Sequence, residues 1–227
     1  MIKSSLCPII CLNGMNKDIK EVPRLTEAFY HRDNVVDIAR DLLGKELVSF
    51  ISGQLTSGII IETEAYAGET DRASHAWNGR RTARTEIMYQ RGGIAYIYLC
   101  YGIHSLFNVV TNDLGKPHAV LIRGIFPVMG VDIMQNRLGR TLKPPADFYG
   151  PGRVTKLLGI DTKWNGTDLI KGNDIWIANN GLSVDKENIV TGPRIGVDYA
   201  GEDAQLAYRF ILPYEAAKHI IKKAGLK

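Results

Sequence analysis

Thr56-Ser57-Gly58-Ile59-Ile60-Ile61-Glu62-Thr63-Glu64-Ala65-Tyr66 reads as one long strand, and it decides the fold and the place to look for chemistry. Side chains alternate across a strand, so Glu62, Glu64 and Tyr66 share one face. Two carboxylates and a phenol on a covered face lose solvation. Either that face meets water, or it lines a functional cleft of the kind where perturbed acids gather.

Upstream, Glu46 to Ile51 reads as a strand joined to the first through a turn at Gly53. Before it, Asp33 or Asn34 can cap a helix whose apolar Val35, Ile38, Ala39, Leu42 and Leu43 recur at helical spacing, with Gly44 as the stop. Downstream, a polar, Arg-rich loop (69–91) leads to a β-prone block, Ile94 to Leu99, continued by Tyr101 to Val110. A turn at Asn112–Gly115 precedes the strand Ala119 to Ile125, and Pro127 is expected to open a helix carrying Val131, Met134 and Leu138. Pro151 suits the first position of a short helix to Leu158. Asn165–Gly166 signals a turn; short strands are expected at Asp174–Ala178, Asn188–Val190, Ile195–Val197 and Tyr208–Leu212, then a helix over Tyr214–Ala224. Strands and helices do not alternate regularly. An α+β domain with a mixed or antiparallel sheet and helices against it fits better than a doubly wound parallel sheet.

The chain of 227 residues suits one domain. Residues 1–24 read as a disordered tail, since their apolar stretch is short and broken by Pro8; residues 25–227 read as the folded domain. No run of about 18 apolar residues is present, which argues against a membrane span. The net charge of +4 permits a nucleic-acid partner without demanding one. Cys7, Cys11 and Cys100 form no disulfide framework, which suits a cytoplasmic setting. Cys7 and Cys11 lack metal spacing, and no two of the five histidines make an i, i+4 ligand pair.

Three further segments carry chemistry-bearing residues. The loop His75-Ala76-Trp77-Asn78-Gly79-Arg80-Arg81-Thr82-Ala83-Arg84 offers arginine forks that suit phosphate, or it is simply a solvated basic loop. In Tyr96-Ile97-Tyr98-Leu99-Cys100-Tyr101, two tyrosines share a strand face and a third stands at a turn; such rings pack sheets, and they also stack on bases. Gly150-Pro151-Gly152-Arg153-Val154-Thr155-Lys156 lacks the spacing of a nucleotide-binding loop. A helix start touching a DNA phosphate, with Arg153 or Lys156 assisting, remains open to it.

Taken in order, these motifs resemble the alkyladenine (3-methyladenine) DNA glycosylase family. The resemblance rests on Glu62–Tyr66, Asp71, Ala73–His75, Arg80–Arg84, Tyr96–Gly102, Phe107–Val110, Ala119–Arg123, Gly150–Gly152 and Gly192–Val197, and it covers residues 25–212. It implies a single mixed domain around a curved, mainly antiparallel sheet, with no metal or organic cofactor. It implies Glu64 as the base that activates water and Arg123 as its helper. Tyr66, His75 and Tyr98 become the walls around a flipped base, Asn108 a wall residue that helps exclude normal guanine, and Tyr101 the wedge left in the helix. Arg80, Thr82, Arg84, Arg153 and Lys156 are then the DNA contacts.

The implied substrate is double-stranded DNA carrying an alkylated or deaminated purine. The implied enzyme is a monomer that hydrolyses the N-glycosyl bond and, lacking a lysine nucleophile, leaves the strand uncut. An extruded base and a single carboxylate suit a cationic leaving group that needs no general acid. Three departures stand out: His104 and Ala207 replace residues usual in the family, and a Pro213-led helix with Lys218, Lys222 and Lys223 follows the last strand, as a solvated cap in preference to a DNA contact. Two rivals are weaker. A sugar hydrolase would need Glu62 and Glu64 on opposite sides of a bond, and a non-catalytic binding module would be weakened by an acid amid its DNA face.

Overall fold

The computed structural model describes residues 22–226, so the expected tail up to residue 21 lies outside the described residues. A single turn, α1 (Glu27–Tyr30), precedes α2 (Val35–Asp41). Asn34 is the cap of α2: its side-chain oxygen accepts the N–H groups of Val36 (3.0 Å) and Asp37 (3.3 Å), satisfying donors that the first turn leaves orphaned. The helix buries Val35, Ile38 and Ala39, the stripe its spacing predicts.

Eight strands follow: β1 (Glu46–Ile51), β2 (Gln54–Tyr66), β3 (Ala95–Cys100), β4 (His104–Thr111), β5 (His118–Met129), β6 (Ile175–Ala178), β7 (Val190–Gly192) and β8 (Arg209–Ile211). They form one sheet of order β3-β4-β5-β2-β1-β6, and all the pairings are antiparallel. β2 is the spine. One of its edges carries β5 throughout; the other pairs with β1 over its first half and with β8 at Glu62–Glu64. A strand this long can hold two partners on one edge, which is why the expected short strand near residue 210 closes against the motif that opened the sequence reading. At the start of the described chain, the Pro23 carbonyl accepts the Asn179 N–H (2.7 Å) and Arg24 bridges to Ala178 of β6.

The register of β2 on β5 slips between Ser57 and Gly58, between Ile60 and Glu62, and between Glu62 and Thr63. Such bulges bend a strand and increase its twist, and they curl the sheet at its middle. Three more helices complete the domain: α3 (Val131–Leu138), α4 (Pro151–Leu158) and α5 (Tyr214–Lys223). α2 packs on β2, α4 on β4 and β5, and α5 on β5. Between helices and sheet lies a core in which Ile38, Ile61, Phe107, Ile122 and Leu157 have no exposed surface. Truncating any of these to alanine is expected to cost about 2–5 kcal/mol. The α+β reading with an antiparallel sheet therefore holds, and Pro151 opens α4 as its fixed φ suggests.

Three local expectations do not hold, one of them the strand expected at Asn188–Val190, which forms two residues later at Val190–Gly192 because Lys186–Asn188 closes a 3-10 turn. β5 runs on through Pro127 to Met129 instead of giving way to a helix, which begins only at Val131 behind a left-handed Gly130. Pro127 sits beside the first slip in register, a place where a strand tolerates a residue without an N–H. Residues 195–197 form a bend, not a strand. Gly196 there has φ of 76°, outside the extended region, and the Ile195 N–H donates to a side chain instead of a ladder.

Candidate active site

Glu62 and Glu64 leave β2 with relative exposures of 1% and 0%, so the face they share does not meet water. Something must offset the loss of hydration, and the curl of the sheet supplies it. Glu62 pairs with Gly124 and Thr63 with Ile122, so Arg123 is the extra residue of the β5 bulge. Bulges re-aim side chains, and this one brings Arg123 Nε within 3.2 Å of Glu62 Oε1 and 3.3 Å of Glu64 Oε1. The Arg209 Nε of β8 also donates to Glu62 Oε1, at 2.6 Å. Glu62 is therefore engaged by two guanidinium groups, an arrangement that holds Arg123 and does not suit a second acid flanking a sugar bond.

Glu64 is held on both oxygens. Its Oε1 accepts the Ile195 backbone N–H at 2.8 Å, and its Oε2 accepts the Tyr66 hydroxyl at 2.9 Å. Burial pushes the carboxyl above its ordinary pKa, opposed by Arg123, the Ile195 N–H and the Tyr66 hydroxyl, while the charge of Glu62 adds to the rise. The same burial, together with Glu64, drives the Tyr66 phenol well above its ordinary value, so it stays a hydrogen-bond donor. Among the described residues no hydrogen bond engages the two terminal nitrogens of Arg123, and the side chain lines the cleft in front of Glu64.

That cleft has a volume of about 530 Å³ and gathers Tyr66, His75, Tyr98, Asn108 and Arg123. Its walls come from different elements. Tyr98 and Tyr96 lie on one face of β3, their rings 5.4 Å apart. Asn108 on β4 is paired with Tyr96, is 4% exposed, and donates to the Tyr96 carbonyl at 3.0 Å. His75 enters from the loop after β2, its ring 4.7 Å from that of Tyr98 and nearly perpendicular to it. Its Nδ1 lies 2.9 Å from the Tyr96 hydroxyl and its Nε2 lies 3.0 Å from Arg84 Nη2. Arginine only donates, and its Nη2 lies 3.4 Å from Nδ1 as well, so the shorter contact favours Nε2 as the acceptor with the proton on Nδ1. Burial first, then Arg84 and Arg80, push the His75 pKa down to about 4, so the ring is neutral at physiological pH.

The expected DNA contacts divide. Tyr101 stands at the tip of the β3–β4 hairpin, 91% exposed, with φ of 50°, and Gly102 follows at 73°. Beside it a groove of about 720 Å³ runs past His104, Arg153 and Lys156 to the start of α4. Arg153 leans on Asp147 (3.5 Å), while Lys156 and Arg80 have no acidic partner among the described residues. Arg81 is matched by Glu86 at 2.7 and 2.8 Å. Thr82 exchanges bonds with Thr85 within its own turn. Arg84 does not stand free in a basic loop: it lies over the Tyr98 ring at 4.7 Å and lines the cleft. The Ile195 N–H and Tyr199, a cleft-lining residue of the segment after it, were not singled out from sequence. A backbone donor carries no residue-type signal, and a tyrosine on an irregular segment has no period to mark it.

The sequence profile of the methylpurine-DNA glycosylase family matches residues 28–216. A protein of Chlamydia felis provisionally named a 3-methyladenine DNA glycosylase is 48% identical over 197 residues, covering 86% of this chain and all of that protein. Its provisionally named counterpart in Desulfitobacterium hafniense is 42% identical over 196 residues, covering 83% of this chain and 95% of the other. The match takes in β2, the bulge at Arg123, the tyrosine hairpin and the loop that holds Glu64, and the chain belongs to the methylpurine-DNA glycosylase family, enzymes that hydrolyse N-glycosyl bonds.

Proposed function

We propose that this chain is a monofunctional glycosylase that flips an alkylated or deaminated purine from duplex DNA and hydrolyses its bond to the sugar. The observation that carries the reading is a buried carboxylate, Glu64, in contact with Tyr66 (2.9 Å) and Arg123 (3.3 Å), two residues that line an aromatic cleft. A base must leave the stack before its glycosidic bond can be reached. Tyr66, His75 and Tyr98 offer it three ring faces, and electron-rich rings favour a purine already made cationic by alkylation. Tyr101 is the side chain suited to fill the gap in the helix, since it is exposed and fixed at a hairpin tip.

Glu64 takes a proton from water as the C1′–N bond lengthens, and its charge stabilises the oxocarbenium character of the sugar. The bonding electrons return to a cationic alkylated purine, which departs neutral, while a neutral deaminated purine takes up a proton from solvent as it leaves; the water oxygen ends on C1′. Arg123 orients that water through its unengaged nitrogens. Asn108, held by carbonyls of β3 and β4, gives the cleft a rigid polar wall against which the amino group of a normal guanine fits poorly. Arg80, Thr82, Arg84, Arg153 and Lys156 serve as phosphate contacts; of these Arg84 lines the cleft, and Arg153 and Lys156 line the groove. The product is an abasic site in an uncut strand, left by a single protomer.

Release of free base from methylated duplex DNA, compared between the parent and Glu64→Gln, tests the reading. Release by the parent, with a loss of about a thousandfold or more in the variant and damaged-DNA binding retained, is the expected outcome. An active variant, or a parent that releases nothing from methylated, ethenoadenine or hypoxanthine DNA, sinks it. A Schiff-base adduct trapped with borohydride would remove the monofunctional part alone.

A further inference from the structure

Arg194 is a charged side chain with no exposed surface, and the site described so far gives it no task. Its guanidinium donates to both oxygens of Asp71, with Nη2 2.9 Å from Oδ1, and to the carbonyls of Ala65 (2.9 Å) and Asp203 (3.0 Å). Its plane lies against the rings of Tyr66 and Tyr208, at 4.9 and 5.2 Å. Asp71 in turn accepts the N–H groups of Ala67 (3.0 Å) and Ala73 (2.9 Å). An enclosed ion pair is weak evidence for stability, because both charges lose their water. Its retention calls for a geometry that it holds.

The geometry is that of Glu64. Ala65 lies between Glu64 and Tyr66, the turn from Ala67 to Ala73 leads into His75, and Arg194 is bonded directly to Ile195, whose N–H reaches Glu64. No ladder fixes the direction of that N–H, since residues 195–197 are a bend. The Ile195 side chain is 49% exposed and anchors little. The segment is held by Arg194 on one side and by the buried Val197 on the other.

We propose that the Asp71–Arg194 ion pair is a positioning device for the reaction, aiming the Ile195 N–H at Glu64 and backing the Tyr66 ring that donates to the same carboxylate. This rests on Glu64 as the carboxylate that activates water. A donated N–H favours the ionised form, so an N–H out of line leaves the carboxyl harder to ionise. The other charged or titratable groups facing Glu64 are Glu62 and Tyr66 on β2, Arg123 on β5 and Arg209 paired opposite it on β8. Arg194 also bears on Glu64 through its charge, which Arg194→Lys keeps.

Single-turnover release of methylated purine is measured across pH for Arg194→Lys and Asp71→Asn, with damaged-DNA affinity and circular dichroism alongside. Arg194→Lys keeps the charge and loses the fork. Both variants are expected to fold and to bind damaged duplex within about threefold of the parent while releasing base about tenfold more slowly or worse. The acidic limb of Arg194→Lys, which keeps the charge, is expected to move to higher pH by about half a unit or more, whereas in Asp71→Asn the unpaired Arg194 charge opposes that shift. Folded variants with the parental rate and limb overturn the assignment, and so does a slower rate with the Arg194→Lys limb unmoved. Failure of both variants to fold would make the pair a folding element alone and overturn it too. Glu64→Gln separates the two readings: if that variant still releases base, the role given to Glu64 fails, whatever the ion pair does.

Discussion

His75 in the cleft and Glu64 buried beside it have their proton affinities both moved by burial, one down and the other up, and each leaves a mark on stability. The folded-state pKa of His75, about 4, lies below the ordinary 6.5, so the unfolded chain binds the proton more readily. Its contribution is present in full above pH 6.5 and is lost as the pH falls toward 4. The Tm difference between the parent and His75→Gln should therefore shrink across that window; parallel curves would refute a neutral, buried imidazole. Glu64 runs the other way. Its folded pKa is raised, so the native state holds the proton longer, and the cost of the buried charge is felt in full only above that raised value. Glu64→Gln should gain in Tm relative to the parent as pH rises from the ordinary carboxylate value through the raised one, a stabilisation purchased with activity. At this scale the strand's alternation alone brought Glu62, Glu64 and Tyr66 to one face, whereas the expectation that Glu64 is the reacting one came from family resemblance. The Ile195 N–H was illegible, because donors of the main chain are set by backbone direction and not by residue type.

Among the elements, the hairpin of β3 and β4 joins local conformation to function most directly. Its tip places Tyr101 and Gly102 both at positive φ, the backbone that lets two strands turn with the right-handed twist of a sheet. Gly102 adopts it freely; Tyr101 does so at a cost of about 1–2 kcal/mol, and an exposed ring returns little of it in the free protein. Tyr101→Gly should thus change stability by no more than about 1 kcal/mol, the relief of strain offsetting the added freedom of the unfolded chain. Damaged-duplex binding should weaken by about 1–3 kcal/mol, the worth of one stacked ring. A variant that binds as tightly as the parent would mean that the ring takes no part. Two of the missed elements share a cause with this one. Pro127 and the stretch from Ile195 to Val197 were read by residue preference, as a helix start and as a strand. A slip in register made room for the proline, and a carboxylate drew the Ile195 N–H out of any ladder. Long periodic segments such as α2, β2 and α4 were legible because burial and spacing agree there over their whole length.

For the whole molecule, a net charge of +4 says little until its placement is known. From sequence, the last helix with its lysines reads as a solvated cap in preference to a DNA contact. In the fold, α5 buries Ala217 and Ile221, and its Tyr214 ring stacks 5.9 Å from that of Phe126. No residue of α5 lines the cleft or the groove beside Tyr101, whereas Arg153 and Lys156 of α4 line that groove. A cation that neutralises a phosphate releases counterions, which makes its contribution visible as a slope of about −0.9 in log affinity against log salt. With Arg80, Arg84, Arg153 and Lys156 as phosphate contacts, the parent should show a slope of about −3.6 on a duplex. Lys156→Ala should make it shallower by about one. The triple change Lys218→Ala, Lys222→Ala and Lys223→Ala removes three times the charge and should leave the slope where it was. The comparison separates placement from net charge: a slope that followed total charge would move more in the triple variant than in the single one. If the triple variant flattens the slope and Lys156→Ala does not, α5 is the DNA-facing element and the groove beside Tyr101 is not.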